Sequence, residues 1–430
     1  MYYSNLAYKW GVTWPVGEGV CVAAWGVNSA QAFARDTLDP IAEPDSRIFD
    51  PQLYLLTLEY PECDRAVRRL STYPWINPNI TPYDEGVSIT EWEDQETEQI
   101  LTEWPYALPQ DRAEILERSR RCIEFQIEFG VNSLILPSPL LSDQESDYSY
   151  ELDWLDAGIE AVPDDCDLPI FATLAISDNC LVHRVPADNE LLRSFVDQIT
   201  ARDIDGLYIV LEQSVGGSTT YLRDRNVAWS LLSICHDVGV RSDLQVIINY
   251  ADAFGLVCLA AGASIFISGP TTRSRRLCLS DYESRGGGGA FPRLHSSSML
   301  IDLLPERDIQ NKILPARLIR LISLDRTSYS APLIDALSAG HPLATIPEWH
   351  ERVNNRTASD GHYQEVIARK AEESINADDP ISSTMAWLQG AESNAGYLAT
   401  RFEDDPLSFD HRHISSWRSA FEQFLSQYSL

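Results

Sequence analysis

A cluster of arginines is the part of this sequence best suited to bind an anion. It follows a short hydrophobic run in the stretch GASIFISGPTTRSRR (262–276) and consists of Arg273, Arg275 and Arg276. Guanidinium groups donate paired hydrogen bonds to phosphate or carboxylate. Gly269 allows close backbone approach beside Ser268, a candidate ligand contact, and Thr271 or Thr272 can cap a helix whose free N–H groups favour an anion. The stretch predicts a phosphate-binding rim, or else arginines that neutralise carboxylates of the protein itself.

Three acidic residues are the candidate catalytic groups. Glu212 ends the apolar run LYIVLE (207–212), and an ionised group there requires solvent in a cleft or a partner. It is a candidate general base or substrate anchor, or it forms a salt bridge with a rim arginine. Asp178 and Asp252 follow two other apolar runs, where the alternatives are a turn residue and a helix cap. Asn249, just before Asp252, is a candidate substrate contact.

A glycine run follows the arginine cluster at residues 286–289. Four consecutive glycines do not stabilise regular structure, so this segment is either a flexible loop over the site or a plain connection. Arg285, Arg293 and His295 flank the run and extend the basic rim.

Seven short apolar runs predict the strands that position these residues. They are VCVAAWG (20–26), LYLLTL (53–58), SLILPSP (133–139), IFATLAI (170–176), LYIVLE (207–212), QVIINY (245–250) and SIFISG (264–269). Nearly continuous apolar runs are typical of a parallel sheet covered on both faces. Amphipathic helical stretches alternate with them, which favours a (β/α)8 barrel. In that fold, ligands bind at the carboxyl ends of the strands, and phosphate often binds after strands seven and eight.

The remaining segments fit the repeat less directly. SMLIDLL (298–304) is the candidate eighth strand, and residues 74–110 are predicted to be an insertion on one rim because they exceed a normal connection. Asp50 precedes the predicted second strand, so we interpret it as a turn residue at the wrong end of that strand for chemistry. After residue 310 the pattern is helical alone. This predicts a barrel over 1–310 and a C-terminal helical subdomain over 311–430.

The charge balance is strongly acidic. Asp and Glu number 64 against 33 Lys and Arg, a formal net charge of −31, and only three of the basic residues are lysines. A diffuse acidic surface with few lysines is typical of halophilic proteins, in which the carboxylates hold water and salt screens their repulsion. The alternative is an ordinary acidic protein from a GC-rich genome. In the halophilic interpretation, the acidity reflects the solvent and not a cationic partner.

Sequence signals for targeting, metals and cofactors are absent. The first residues lack the basic start and apolar core of a signal peptide, and no apolar run reaches the roughly 18 residues of a membrane span. The eight cysteines stand singly, and the histidines lack metal-ligand spacing. We therefore expect a cytoplasmic protein with no membrane partner, no metal site and no cofactor.

The arginine stretch resembles a loop of the tRNA-guanine transglycosylases and their DNA-modifying relatives. With one residue inserted, the matching positions are Gly262, Pro270, Thr271, Arg273 and Arg275. The resemblance implies a (β/α)8 barrel that handles a nucleotide or nucleic acid. Two departures limit it, because Ile267 occupies the position of the family's aspartate nucleophile and the cysteine-rich zinc site has no counterpart. Base exchange through a covalent aspartyl intermediate is therefore not implied.

The sequence thus predicts a barrel that binds a phosphate-bearing ligand, a nucleotide or a nucleic-acid segment, at its C-terminal rim. The arginines would hold phosphate while Glu212, with Asp178 or Asp252, acts on the substrate. The alternative is a non-catalytic barrel that serves as a recognition or assembly module, with its arginines engaged in internal salt bridges. The reaction and the oligomeric state stay open.

Overall fold

A computed structural model describes most of the chain. The described residues are 1–6, 17–33, 46–80, 104, 108–142, 148–181, 190–214, 221–283, 291–352 and 355–430. Most of the predicted insertion at 74–110 and all of the glycine run at 286–289 lie outside these residues.

Eight parallel strands form one sheet within the described part of the chain. They are β1 (Tyr2–Asn5), β2 (Gly19–Ala23), β3 (Ser46–Asp50), β4 (Leu134–Ile135), β5 (Ile170–Ser177), β6 (Gly206–Glu212), β7 (Gln245–Asn249) and β8 (Ile265–Ser268). Their order is β3-β2-β1-β8-β7-β6-β5-β4, so the N-terminal strand lies in the middle between β2 and β8. Tyr3 of β1 pairs with Gly19 on one side and Ile267 on the other.

The sheet curls until its two outer strands meet. Just before β4, the Asn132 N–H donates to the carbonyl of Arg47 in β3 at 2.8 Å, and the Asn132 side chain accepts from the Arg47 N–H at 2.6 Å. Side chains also meet across the interior, where Asn249 of β7 lies 3.2 Å from Asp50 of β3 although three strands separate them in the sheet. The result is a nearly closed barrel, and the predicted (β/α)8 fold is confirmed.

Two predicted strands are wrong. The run LYLLTL (53–58) forms a 3₁₀ turn at Leu53–Leu55, because Gln52 before it adopts a left-handed conformation and the chain has already left the sheet. SMLIDLL (298–304) contributes β10 (Ile301–Leu303), which pairs antiparallel with β9 (Leu294–Ser296) outside the barrel. The missing barrel positions are filled by β1 and β3.

Helices follow most of the strands and continue to the C-terminus. They are α1 (Ser29–Phe33), α2 (Asp64–Leu70), α3 (Arg112–Phe129), α4 (Ser149–Glu160), α5 (Glu190–Thr200), α6 (Arg225–His236), α7 (Gly255–Ala260), α8 (Thr272–Arg275), α9 (Ile319–Ser323), α10 (Ala331–Ser338), α11 (Thr357–Ile375), α12 (Pro380–Arg401) and α13 (Arg412–Tyr428). A π-helical segment, Pro305–Ile313, connects β10 to this last group. No helix in the described ranges is both long and apolar enough to span a bilayer.

The C-terminal helices pack directly on the barrel. α13 lies against α6, and α11 contacts β1, β9 and α7. Trp417 of α13 is fully buried, and its indole N–H donates to the carbonyl of Leu222 at 2.7 Å. The predicted change to helices after residue 310 is confirmed, while the predicted domain boundary there stays a prediction.

Candidate functional site at the barrel mouth

Asp50 is the last residue of β3 and lies at the carboxyl end of the barrel, fully buried. Its Oδ2 accepts a hydrogen bond from Tyr54 at 2.6 Å and from the Asn249 side-chain amide at 3.2 Å. The Tyr250 hydroxyl is 3.4 Å from the same oxygen. Its Oδ1 has no hydrogen-bond partner among the residues described. The interpretation of Asp50 as a turn residue at the wrong end was incorrect, because the strand precedes Asp50 and does not follow it.

A shell of neutral polar side chains surrounds this carboxylate. Asn249 donates to the Tyr208 hydroxyl at 2.6 Å, and Gln52 donates to the Tyr250 hydroxyl at 2.6 Å. The Gln52 side-chain oxygen accepts from the backbone N–H of Trp25 at 2.7 Å. We call this set the Asp50 cluster, and its members are Asp50, Gln52, Tyr54, Tyr208, Asn249 and Tyr250.

The backbone beside the Asp50 cluster is strained. Gln52, Tyr250 and Asp252 have φ values of 53°, 57° and 45°, in the left-handed region that side chains rarely adopt. Each such residue costs about 1–3 kcal/mol, and such strain concentrates at active sites and ligand clamps. Two loops at the mouth thus keep unfavourable conformations in which the Gln52 side chain contacts Tyr250 and the Tyr250 hydroxyl faces Asp50.

The electrostatics of the Asp50 cluster favour the neutral form of its carboxyl group. None of the ion pairs formed by the described residues includes Asp50. Burial raises the pKa of Asp50 to about 6, although the hydrogen bonds from Tyr54 and its neighbours act to lower it. Burial, reinforced by the charge of Asp50, raises the pKa of Tyr54, Tyr208 and Tyr250 well above the usual range. The tyrosines therefore remain protonated donors around a carboxyl group that titrates near neutrality.

The structure brings two predicted carboxylates, Glu212 and Asp178, to adjacent strand ends. Glu212 ends β6 and accepts a hydrogen bond from Ser177 at 2.6 Å, while Asp178 accepts from the backbone N–H of Ser214 at 3.1 Å. Burial raises the pKa of Glu212, and the charge of Asp178 adds to the effect. No arginine or lysine in the described ranges forms an ion pair with Glu212, so the predicted rim salt bridge is not among the contacts of this residue.

Asp252 and Ser268 belong to a different group of side chains. The hydroxyl of Tyr363, from α11, donates to Asp252 at 2.7 Å and lies 2.8 Å from the hydroxyl of Ser268. Asp252 also accepts from the backbone N–H of Ala253 at 2.9 Å. A C-terminal helix therefore covers the ends of β7 and β8.

Two of the predicted arginines bind carboxylates of the protein itself. Arg275 Nη1 lies 2.8 Å from Asp302 Oδ2. Arg276 forms a bidentate pair with Asp281, with nitrogen-to-oxygen distances of 2.8 and 3.1 Å. Both arginines are buried. Their charges are thus balanced within the chain, as the neutralising alternative predicted.

Arg273 differs from its two neighbours. Its guanidinium lies over two aromatic rings, 5.4 Å from the ring centre of Trp25 and 5.5 Å from that of Tyr282. Its Nε donates to the carbonyl oxygen of Asp281 at 2.5 Å, and it takes part in no ion pair formed by the described residues. Trp25, whose ring faces Arg273, donates its backbone N–H to Gln52 of the Asp50 cluster.

Gly269 and Thr271 shape the arginine loop. A Cβ at Gly269 would lie 2.4 Å from the carbonyl oxygen of Asn5, so the close approach is to the neighbouring strand. Thr271 precedes α8, and its N–H donates to the hydroxyl of Ser274 at 2.9 Å. Thr271 thus occupies the N-cap position of a helix of four residues, and anion binding at that helix stays a prediction.

Sequence reasoning missed Asp50, Tyr54 and Tyr208. One signal was present, because Pro51 after Asp50 marks the end of a strand more readily than the start of one. For Tyr208, in the middle of the continuously apolar β6, nothing in the sequence indicates that its side chain faces the barrel interior. No group of three or more His, Cys, Asp or Glu side chains in the described part of the chain could hold a metal ion.

Comparison with known proteins gives distant structural likenesses only. No model of a known family matches this chain, and no curated protein matches it. Dihydrodipicolinate synthase from Bacillus clausii aligns over 76% of this chain and 82% of its own, with 10% identity and a TM-score of 0.23. The enzyme of the same name from Oceanobacillus iheyensis aligns over 75% of this chain and 81% of its own, with 12% identity and a TM-score of 0.22. These scores are too low to support an argument, so the fold assignment rests on the strand order of this chain.

Proposed function

We propose that this protein is a barrel enzyme in which Asp50 transfers a proton to or from a small organic anion that Arg273 holds at the rim. The observation that carries the proposal is a fully buried carboxyl group, at the carboxyl end of a barrel strand, without a cationic partner among the described residues. Leaving such a group uncompensated costs stability, and proteins retain that cost where the group has a task.

The geometry of Asp50 suits acid–base catalysis. Tyr54 and Asn249 fix Oδ2, while Oδ1 is the oxygen left for a proton of the substrate. A carboxyl group with a pKa of about 6 is mostly the proton-accepting carboxylate at pH 7, and its acid form remains accessible, which suits a general base. Protonated tyrosines beside it can stabilise an oxygen that gains negative charge.

The anion is assigned to Arg273 because the other two arginines are already paired. Arg273 forms no ion pair with the described residues, and its Nε is bonded to the Asp281 carbonyl, so we assign its two terminal nitrogens to a phosphate or carboxylate. The ligand we propose bears a phosphate group. It is a small phosphorylated compound, or a nucleotide or nucleic-acid segment whose phosphate Arg273 would bind in the same way. Asn249, which contacts Asp50, would then lie beside the reacting part of the ligand.

Deuterium exchange tests the proton transfer across a range of candidate substrates. The protein is incubated in concentrated salt in D₂O with a panel of phosphorylated and carboxylated carbonyl compounds, and proton NMR follows the loss of carbon-bound hydrogen. We expect exchange with at least one compound and its loss in Asp50→Asn. In Arg273→Ala we expect that a higher concentration of this compound is needed for the same exchange rate. Arg241→Ala, which removes an exposed arginine elsewhere, is the matched control. Undiminished exchange in Asp50→Asn would overturn the assignment.

Glu212 is the second acid–base candidate, with Asp178 beside it. Its raised pKa and its hydrogen bond from Ser177 support a proton-transfer role at an adjacent part of the mouth. Glu212→Gln in the same exchange assay separates the two carboxylates. Loss of exchange in Glu212→Gln but not in Asp50→Asn would transfer the role to Glu212.

The rival function is a non-catalytic recognition module. The internal pairing of Arg275 and Arg276 is what that alternative predicts. The recognition-module alternative does not explain why Asp50 is buried without an ion pair to any described residue. Anion binding that depends on Arg273, with no exchange of any compound in the panel, would favour the module.

A further inference from the structure

A second buried polar network lies between the loop after β8 and the β9–β10 hairpin. Asp302 in β10 bonds Arg275 through one oxygen, and its other oxygen lies 3.0 Å from Nδ1 of His295 in β9. The Tyr221 hydroxyl is 3.4 Å from the same ring nitrogen. Burial acts to raise the pKa of Asp302, but the charge of Arg275 and the bond to His295 hold it well below its usual range. We call Tyr221, Arg275, His295 and Asp302 the His295 network.

The ionised Asp302 determines which nitrogen of His295 carries the proton. A carboxylate only accepts hydrogen bonds, so Nδ1 must donate its hydrogen to Asp302. In a neutral ring this leaves Nε2 with a lone pair and no hydrogen. Nε2 is fully enclosed and has no partner among the residues that the structure describes. A buried acceptor without a partner is costly, so a hydrogen-bond donor is expected to occupy that position.

Two other buried histidines have the opposite arrangement. His362 contacts the carbonyl oxygen of His295 through Nε2 at 2.7 Å and the Thr327 hydroxyl through Nδ1 at 2.9 Å. His413 contacts the carbonyl oxygen of Leu300 through Nε2 at 3.0 Å. Because a carbonyl accepts, both rings carry their hydrogen on Nε2. Burial lowers the pKa of His362 to about 4 and that of His413 to about 3, which keeps them neutral. His295 is therefore the one of the three whose Nε2 is left as a base.

We propose that His295, oriented by Asp302, is a second proton acceptor that takes the hydroxyl proton of a small uncharged ligand at Nε2. In this step the O–H bond breaks, an N–H bond forms at Nε2, and the electron pair stays on the oxygen. Asp302 stabilises the imidazolium that results. The ligand is uncharged because Arg275 already balances Asp302, so the network offers no net charge to an ion. The proposal does not depend on Asp50.

Nitrogen NMR of the histidine rings tests the first half of the proposal. In protein labelled with ¹⁵N at histidine, two-bond correlations report which ring nitrogen carries hydrogen. We expect hydrogen on Nδ1 for His295 and on Nε2 for His362 and His413, which serve as internal controls. The loss of one set of signals in His295→Gln identifies the signals of His295. If His295→Gln does not fold, the change in chemical shift caused by Tyr221→Phe identifies them. Hydrogen on Nε2 of His295 would overturn the proposal.

Acylation with diethyl pyrocarbonate tests whether Nε2 is reachable by a small uncharged molecule. Peptide mass spectrometry of the folded protein compares His295 with the exposed His341 and the enclosed His362 and His413. We expect His295 to react more slowly than His341 but faster than the other two. Protection equal to that of His362 would show a closed structural histidine and would contradict the proposal.

Discussion

Asp50 is fully buried and Asp302 is mostly buried near the same end of one barrel, yet their surroundings shift their pKa values in opposite directions. Asp302 faces Arg275 and His295, and its pKa falls. Among the described residues, Asp50 is hydrogen-bonded by tyrosine and amide groups and forms no ion pair, and burial raises its pKa to about 6. The difference shows that burial alone does not decide the state of a carboxyl group. A nearby cation does: the charge of Arg275 stabilises the ionised form of Asp302, whereas Asp50 forms no ion pair with the described residues and burial dominates its pKa.

The largest effect should come from breaking the paired side of this comparison. Asp302→Asn leaves the buried guanidinium of Arg275 without a counter-charge, and we expect the free energy of unfolding to fall by about 3–5 kcal/mol. Asp335→Asn is the matched control, because it breaks an exposed pair with Arg326 and should cost less than about 1 kcal/mol. Denaturant unfolding in concentrated salt measures both.

A double variant sharpens the same prediction. Replacing both partners with apolar side chains, R275M with D302L, removes the two charges together and should recover much of the lost stability. If the double variant is no more stable than Asp302→Asn, the cost lies in lost packing and not in the unpaired charge.

Replacing Asp50, which has no ion pair among the described residues, should increase the free energy of unfolding. Asp50→Asn removes a charge that burial disfavours. The pKa of Asp50 is about two units higher in the folded than in the unfolded chain, so at pH 7 we expect the free energy of unfolding to rise by up to about 3 kcal/mol. Thermal and denaturant unfolding provide the measurement, with Asp64→Asn on the surface as the control. A loss of stability in Asp50→Asn would contradict the assignment of Asp50 as an uncompensated carboxylate.

The pH dependence gives an independent check on Asp50. Its pKa is higher in the folded than in the unfolded chain, so the folded state holds its proton more tightly between pH 4 and 6. The contribution of Asp50 to stability is therefore full below pH 4 and is lost as the pH rises through about 6. The stability advantage of Asp50→Asn should be absent near pH 4, grow through this window and level off above it. An advantage that is constant with pH would contradict the assignment.

The sequence predicted the barrel better than it predicted the site. The apolar runs that became β5 to β8 are long enough to identify, whereas β1 (YYSN) ends and β3 (SRIFD) begins with two polar residues, which left no long apolar run in either strand. Missing β3 by a few residues placed Asp50 at the wrong end of a strand. The partners of the arginines were equally invisible, because Asp302 lies 27 residues from Arg275 and no spacing rule connects them. Contacts between distant parts of the chain decided which arginines are structural.

The smallest change in stability should come from Arg273, which of the three clustered arginines is the one that forms no ion pair with the described residues. Arg273→Ala removes its stacking on Trp25 and Tyr282, which is worth about 0.5–1 kcal/mol, and leaves no buried carboxylate unpaired. Binding should respond far more, since the proposed anion contact is lost. Titration calorimetry with inorganic phosphate in concentrated chloride should show weaker binding in Arg273→Ala and unchanged binding in Arg241→Ala. Equal affinity in all three proteins would remove Arg273 from the anion site, and a loss of several kcal/mol would make it structural, like Arg275.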